Sequence, residues 1–299
     1  MSGVELLARG VVQYGRGSEA PIILRGVSLD LMSGLSAMVG PNGSGKTTLL
    51  RTLAGLLPPW EGHVEVGPAA LQDDPAEVRR QVGYLPQFPG VFARLTVRQH
   101  FERQILWLEE GETGAGERIE GALSRFGLWE AADYPAARLS PARRRWLALS
   151  LLWARRAQVL LLDEPTAGLD AEDRNAFWER MFELLADDDG PRAILVTTHL
   201  LDEVETYCKN VIMLAGGRAV FQGMVTKFKD RARERAVVLS PGAAVPPGAL
   251  EVGLDMGTGG RQVLILGEPV GDGLRRRPPT VMDGYLVVEH EWNRREVPA

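Results

Sequence analysis

A chain of 299 residues that is 45% hydrophobic can bury one large core or two smaller ones, so one main domain with an appended unit is expected. Its formal net charge of −5 argues against nucleic acid as a partner, because binding a phosphate backbone needs a basic face. The single cysteine, Cys208, excludes an internal disulfide and a cysteine metal site and fits a reducing compartment, and the longest apolar stretches, Trp146 to Ala154 and Val159 to Leu162, fall far short of the roughly 18 to 20 residues that span a bilayer.

Met1 to Gln13 mixes apolar and charged residues without a basic segment leading into a long apolar one, so no signal peptide is expected. Val4 to Tyr14 and Ile22 to Leu31 are rich in β-branched and aliphatic residues around a Gly/Ser/Pro turn and are predicted strands. Leu35 to Val39 is a further strand running into a glycine-rich turn, and a helix follows from Lys46 to Leu56, stopped by Pro58 and Pro59. Leu95 to Phe126 and Pro141 to Arg155 carry apolar residues at helical spacing and suggest an inserted helical subdomain. Short apolar strands return at Val159 to Leu162 and Ala193 to Thr197, separated by a helix over Glu172 to Ala186, so the core is an α/β arrangement around a parallel sheet. Beyond Phe228 the composition shifts to Gly, Pro and short β-like runs, Ala236 to Leu239 and Gln262 to Leu266, which reads as a small mixed appendage beginning near residue 225. Arg275 to Arg277 reads as a solvated loop rather than a lipid-contacting patch, and His63, His100 and His290 have no metal-ligand spacing.

Gly40, Pro41, Asn42, Gly43, Ser44, Gly45, Lys46, Thr47 and Thr48 match the phosphate-binding loop, glycine, four residues, then Gly-Lys-Ser/Thr, between a strand and a helix. The glycines let successive backbone N–H groups converge on phosphate, and the helix beginning near Lys46 adds the favourable field of its N-terminus. Lys46 supplies a point charge to the β and γ phosphates of ATP, and Thr47 offers a hydroxyl to magnesium. A second motif, Val159 to Pro165, is a buried strand ending in the carboxylates Asp163 and Glu164, a costly pair unless it meets cations or water. In the P-loop scheme Asp163 holds the magnesium and Glu164 polarises the attacking water.

With these motifs in place the chain resembles the ATP-binding subunits of ABC transporters over roughly residues 4 to 224. The resemblance implies a P-loop fold with a RecA-like core, an antiparallel β subdomain and a helical subdomain over about residues 88–157, with residues 225–299 as a C-terminal accessory unit. It also implies that Gln87 reaches the magnesium, that His199 contacts the γ-phosphate, and that Asp170, closing Ala167 to Asp170, lies in a loop that crosses to a second subunit. Tyr14 falls where the family stacks an aromatic ring on adenine, although core packing would use it equally well.

One segment departs from the family. Leu139-Ser140-Pro141-Ala142-Arg143 stands where the signature reads Leu-Ser-Gly-Gly-Gln, the helix start that closes on the γ-phosphate held by another subunit. Ser140 as N-cap and Pro141 as first helical residue make a sound helix start, and the N–H groups of Ala142 and Arg143 are expected to remain for an anion. The close backbone approach that glycine permits is lost, and Arg143 either adds charge or obstructs. The expectation is therefore a dimer formed on ATP that hydrolyses slowly as a homodimer or works beside a different ATPase chain, the alternative being an ATP-clamped regulatory protein with weak hydrolysis.

Gln87 to Phe92, Leu95 to Arg98, the segment Thr198 to Glu205 and the tail Pro279 to Leu286 resemble ATPases of the ABC-2 type, which includes drug and antibiotic exporters. For the tail, the apolar spacing of Val281, Tyr285 and Leu286 also suits a plain helix packed on the core. The resemblance implies ATP and magnesium as cofactors, a separate transmembrane permease docked near Gln87 to Val97, and a peripheral place on the cytoplasmic face of the cell membrane, with membrane contact through the permease. Phe88 and Phe92 are candidates for receiving a permease helix, with core packing as their other use. The cargo is not legible.

Overall fold

The computed structural model describes residues 4–15, 21–108, 115–240, 242–256, 259–266 and 275–296. Strands β1 (Val4–Tyr14) and β2 (Ile22–Met32) pair antiparallel, and β3 (Gly34–Val39) leads into the phosphate loop and α1 (Lys46–Leu53). This helix ends earlier than the sequence suggests, and glycine rather than proline ends it. Gly55 is left-handed (φ 67), its N–H donates to the Thr52 carbonyl (3.0 Å) and the Leu56 N–H to that of Arg51 (2.9 Å), a closing motif that only a residue without Cβ adopts cheaply. Strands β4 (Glu61–Val66) and β5 (Ala69–Ala70), helix α2 (Pro75–Gln81) and strand β6 (Val82–Leu85) follow. The predicted helical stretch from Leu95 is α3 (Val97–Leu108) and α4 (Ala115–Arg125), with residues 109–114 outside the described residues. Next come α5 (Pro141–Ala154), β7 (Val159–Asp163), α6 (Ala171–Ala186), β8 (Ala193–Thr197), α7 (Leu201–Tyr207), β9 (Asn210–Ala215) and β10 (Arg218–Met224). The chain continues through α8 (Val225–Asp230), β11 (Ala236–Leu239), β12 (Ala249–Asp255), β13 (Gly260–Ile265), β14 (Arg275–Arg276) and α9 (Val281–Glu296). Among the described residues no helix is long and apolar enough to cross a membrane.

The central sheet has the order β10-β9-β3-β8-β7-β6, parallel throughout except for β10 on the edge. Both faces are covered, which is why β7 and β8 read as unbroken apolar runs in the sequence. Alternate side chains go to opposite layers. Leu160, Leu162, Ile194 and Val196 join a cluster with Phe101, Leu147, Phe177 and Trp178 from the helices, whereas Leu161, Leu195 and Met38 pack with Leu49 and Leu53 of α1 and with Leu6 and Leu24 of the antiparallel sheet β2-β1-β4-β5. One layer is thus helical and the other holds α1 and the antiparallel sheet.

After β10 the chain does two things. Strands β11 to β14 form a four-stranded sheet, ordered β12-β13-β11-β14, with small apolar clusters of its own, while Val225 and Phe228 of α8 and Val281 and Val288 of α9 are buried in the main helical-side cluster. Tyr285 and Leu286 are only partly buried. Helix α9 begins with reciprocal caps: Thr280 N–H donates to Asp283 Oδ2 (2.8 Å), and the Asp283 N–H donates to Thr280 Oγ1 (3.3 Å). The same buried carboxylate receives both guanidinium nitrogens of Arg277 (2.6 and 2.7 Å), so of the arginine run expected to be a solvated loop, Arg275 and Arg276 are exposed but lie in strand β14 paired with β11, and the Arg277 side chain is largely covered. Glu205 of α7 accepts from the Val281 N–H (2.9 Å) and pairs with Lys229, fastening both α8 and α9 to the helix that follows His199.

Asp283→Ala removes the cap and leaves the Arg277 charge buried alone, and is expected to cost about 3–5 kcal/mol in urea denaturation. A loss below about 1 kcal/mol would show that the pair contributes little.

Candidate nucleotide site

The site lies at the carboxyl ends of the parallel strands, where loops leave the sheet and polar groups escape the apolar layers. After β3 the phosphate loop turns through glycines with left-handed or otherwise positive φ: Gly40 at 149, Gly43 at 77 and Gly45 at 100. A Cβ on Gly40 would stand 2.0 Å from the Leu214 carbonyl oxygen of β9, and one on Gly45 would stand 2.9 Å from Leu24 Cδ2. Glycine is therefore demanded twice, by backbone conformation and by close approach. The loop encloses a cleft of about 330 Å³ lined by Ile23, Asn42, Gly43, Gly45, Lys46, Thr47, Thr48 and Glu164. Ser44 Oγ is buried without a hydrogen-bond partner, and Lys46 Nζ donates to the carbonyls of Gly40 (2.8 Å) and Pro41 (3.0 Å). Burial lowers the pKa of Lys46, against the opposing pull of the Glu164 and Asp163 charges. An unspent hydroxyl and an ammonium beside an open cleft at a helix N-terminus fit a nucleotide polyphosphate.

The carboxylates come from the end of β7. Asp163 is buried; its Oδ1 accepts from Thr197 Oγ1 (2.7 Å) and its Oδ2 from the Tyr84 hydroxyl (3.4 Å). Burial, then the Asp163 charge, pushes the Tyr84 phenol up to about 12, so it stays a donor. Glu164 has φ 44, rare for a residue with a side chain, and its N–H donates to the same Thr197 hydroxyl (2.8 Å). Gln87, in the loop after β6, donates through Nε2 to Glu164 Oε2 (2.9 Å). His199, exposed beyond β8, places Nδ1 3.7 Å from that oxygen, outside hydrogen-bond reach. The structure thus brings Gln87, His199, Lys46 and the carboxylate pair together, with Gln87 resting on Glu164.

Other predicted residues lie elsewhere. Tyr14 ends β1 and meets the exposed Trp60 edge-on, with ring centroids 5.3 Å apart. Asp170 is the N-cap of α6, accepting from the Asp173 N–H (2.8 Å). Ser140 caps α5 and Pro141 is its first residue, as the sequence suggests, but the Arg143 N–H is taken by Ser140 Oγ (3.2 Å), so of the two N–H groups expected to remain for an anion only that of Ala142 is not used by the cap. Neither Ser140, Ala142 nor Asp170 lines the cleft. Phe88 and Phe92 are 82% and 55% exposed, which removes core packing as their role. Sequence reasoning misses Thr197 and Tyr84; the signal available is a hydroxyl at the last residue of β8 and one residue before the end of β6. His100 has no ligand spacing in the sequence, yet its ring accepts from the Phe92 N–H (3.0 Å) and donates to the Thr96 carbonyl (2.7 Å), pinning the loop that presents Phe92.

A phosphate loop facing two strand-end carboxylates across a parallel sheet defines a P-loop nucleoside triphosphatase. Residues 24–167 match the family described as ABC transporter. The chain is 33% identical over 218 residues to ATP-binding cassette sub-family A member 17 of Rattus norvegicus, covering 72% of this chain but 12% of that protein. It is 32% identical over 202 residues to Nod factor export ATP-binding protein I of Ralstonia nicotianae, covering 67% of this chain and 62% of the relative. It superposes on a solved ATP binding subunit of an ABC transporter with a TM-score of 0.67 and 27% identity, over 76% of this chain and 92% of the other. The chain belongs to the ABC transporter ATPase family, binds ATP, and has ATP hydrolysis as its class of reaction.

Thr197→Val keeps the shape of the strand end but leaves the Glu164 N–H unpaired and takes a donor from Asp163. We expect a stability loss of about 1–3 kcal/mol and reduced ATP turnover, read by denaturation and phosphate release. Unchanged values in both would remove the role given to this hydroxyl.

Proposed function

We propose that this chain is the ATP-hydrolysing subunit of an exporter, that it dimerises around ATP, and that it drives a separate transmembrane permease from the cytoplasmic face of the membrane. The observation that carries the reading is the gathering of Gln87 and His199 on Glu164 at the edge of the phosphate cleft. In this reading Lys46 and the loop Gly40 to Thr48 hold the phosphates, and Thr47, Asp163 and Gln87 hold magnesium, a hard cation suited to oxygen donors. Bound magnesium would neutralise charge developing on the phosphates. Glu164 accepts a proton from the attacking water, and His199 donates to the γ-phosphate. Tyr14 serves the adenine. Residues 1–224 are the nucleotide-binding unit and 225–299 an accessory unit. The full set of hydrolytic groups favours turnover over a purely regulatory clamp.

Dimerisation would bring the start of α5 of one chain, with Ser140, Ala142 and Asp170, against the cleft of another. Pro141 lacks an N–H and the Arg143 N–H is spent on the cap, so this half of the site is short of donors, and hydrolysis is slow in a homodimer or depends on a second ATPase chain with an intact signature. Restoring glycines with Pro141→Gly, Ala142→Gly and Arg143→Gln is expected to raise turnover about tenfold or more, the scale of losing one well-placed anion donor. Equal, brisk turnover in both forms would sink the idea.

For the permease, the docking surface proposed is the groove of about 330 Å³ lined by Gly90, Phe92, His100, Arg103, Gln104 and Leu151, with Phe88 exposed beside it. Arg103 covers the Phe92 ring at 4.6 Å. Replacing Phe88 and Phe92 by alanine is expected to leave ATP binding intact and abolish co-purification with the permease. Retained association would remove this surface from the proposal.

A further inference from the structure

Glu203 has no part in the site described so far, yet it is 5% exposed and carries a carboxylate. A buried charge persists only where hydrogen bonds and partners compensate it. Here Oε2 accepts from Thr166 Oγ1 (3.0 Å) and from Thr198 Oγ1 (3.2 Å), while Oε1, without a hydrogen bond, lies 3.8 Å from Arg174 Nε of α6. Thr166 stands two residues beyond Glu164, and Thr198 immediately precedes His199. The Thr198 hydroxyl also accepts from the Leu200 N–H (3.0 Å), so the backbone is held on both sides of His199.

The two loops leave neighbouring strands and are tied at the base by Thr197, whose hydroxyl serves Asp163 and Glu164. Beyond that base, one oxygen atom of Glu203 ties them again. The result is a closed ring of contacts from Glu164 through Thr166, Glu203 and Thr198 to His199, with the 3.7 Å approach of His199 to Glu164 as its remaining side. Leucine would fill the same volume without joining the loops.

We propose that Glu203 is a positioning residue for ATP hydrolysis, clamping the loop that follows the carboxylate pair to the loop that carries His199. The proposal rests on the roles given above to His199 and Glu164. Glu203 acts through His199 and does not touch nucleotide.

The test is single-turnover hydrolysis of magnesium-ATP by the full chain in excess, which reads slow chemistry as well as fast, with ATP affinity measured separately by equilibrium binding. Glu203→Ala is expected to slow hydrolysis on the order of tenfold to a hundredfold, the scale of a lost alignment, with ATP affinity held within about twofold. Glu203→Gln, whose amide oxygen can take the place of Oε2, recovers most of the rate. Thr198→Val loses rate as Glu203→Ala does, and Thr198→Ser, which keeps the hydroxyl, loses far less; this pair decides the matter if Glu203→Ala does not fold. In a His199→Ala background, Glu203→Ala adds less than about a twofold further loss, because its effect runs through the missing ring. Losses that multiply in the double variant, or ATP affinity that falls in step with the rate, would overturn the proposal. Unchanged hydrolysis in His199→Ala alone would instead remove the role of His199, and this proposal with it.

Discussion

The hydroxyl of Thr197 lies between Asp163 Oδ1 and the Glu164 N–H, at 2.7 and 2.8 Å, and so holds the carboxylate of the first and the backbone of the second. Asp163 is buried at the end of an apolar strand, and Glu164 carries a left-handed backbone that costs of order 1–3 kcal/mol for a residue with a side chain. A donor for the first and an acceptor for the second, supplied by one atom of the adjacent strand, offset both. Because β7 and β8 pair in parallel register with Asp163 opposite Thr197, that atom arrives at the right height without any loop having to carry it.

From this fixed pair the site extends across the sheet. Gln87 comes from beyond β6, His199 from beyond β8 and the phosphate loop from beyond β3, all at the carboxyl ends of parallel strands. The phosphate loop is held from the far side by β9, where the Leu214 carbonyl leaves no room for a Cβ on Gly40. Strand pairing places the groups; the loops only aim them.

Two connections carry the site outward. Arg145 of α5 donates to the Ala167 carbonyl (3.1 Å), joining the helix that Ser140 caps to the loop that follows the carboxylates. Glu205, two residues beyond Glu203 on α7, receives the start of α9 and pairs with Lys229 of α8. The C-terminal helices are thus packed into the same apolar cluster as the sheet and fastened to the element behind His199, while the small sheet β11 to β14 keeps apolar clusters of its own. Cys208, at the end of α7, is buried among these groups; burial and then the Glu203 charge hold its thiol at about 12, so it is a packing residue and not a nucleophile.

The phosphate loop, the carboxylate strand end and the helix start at Ser140 were legible because each is local: glycine at fixed offsets, an apolar run ending in acids, and a cap followed by proline act through the few residues around them. The strands Ala193–Thr197 and Ala236–Leu239 were legible for the same reason. The roles of Thr197, Tyr84, Glu203 and Arg277 were not, since each depends on a partner that is distant in sequence or set by a fold, and an isolated threonine or glutamate in a chain announces no partner. Helix α1 is shorter than its sequence suggests because a proline stop is visible in sequence while the left-handed turn at Gly55 forms sooner. Sequence by itself determined the phosphate-binding loop and the strand end with its two carboxylates, because both are written in contiguous backbone. Only the tertiary structure decided which buried side chains hold those groups in place, because burial and strand register choose their partners.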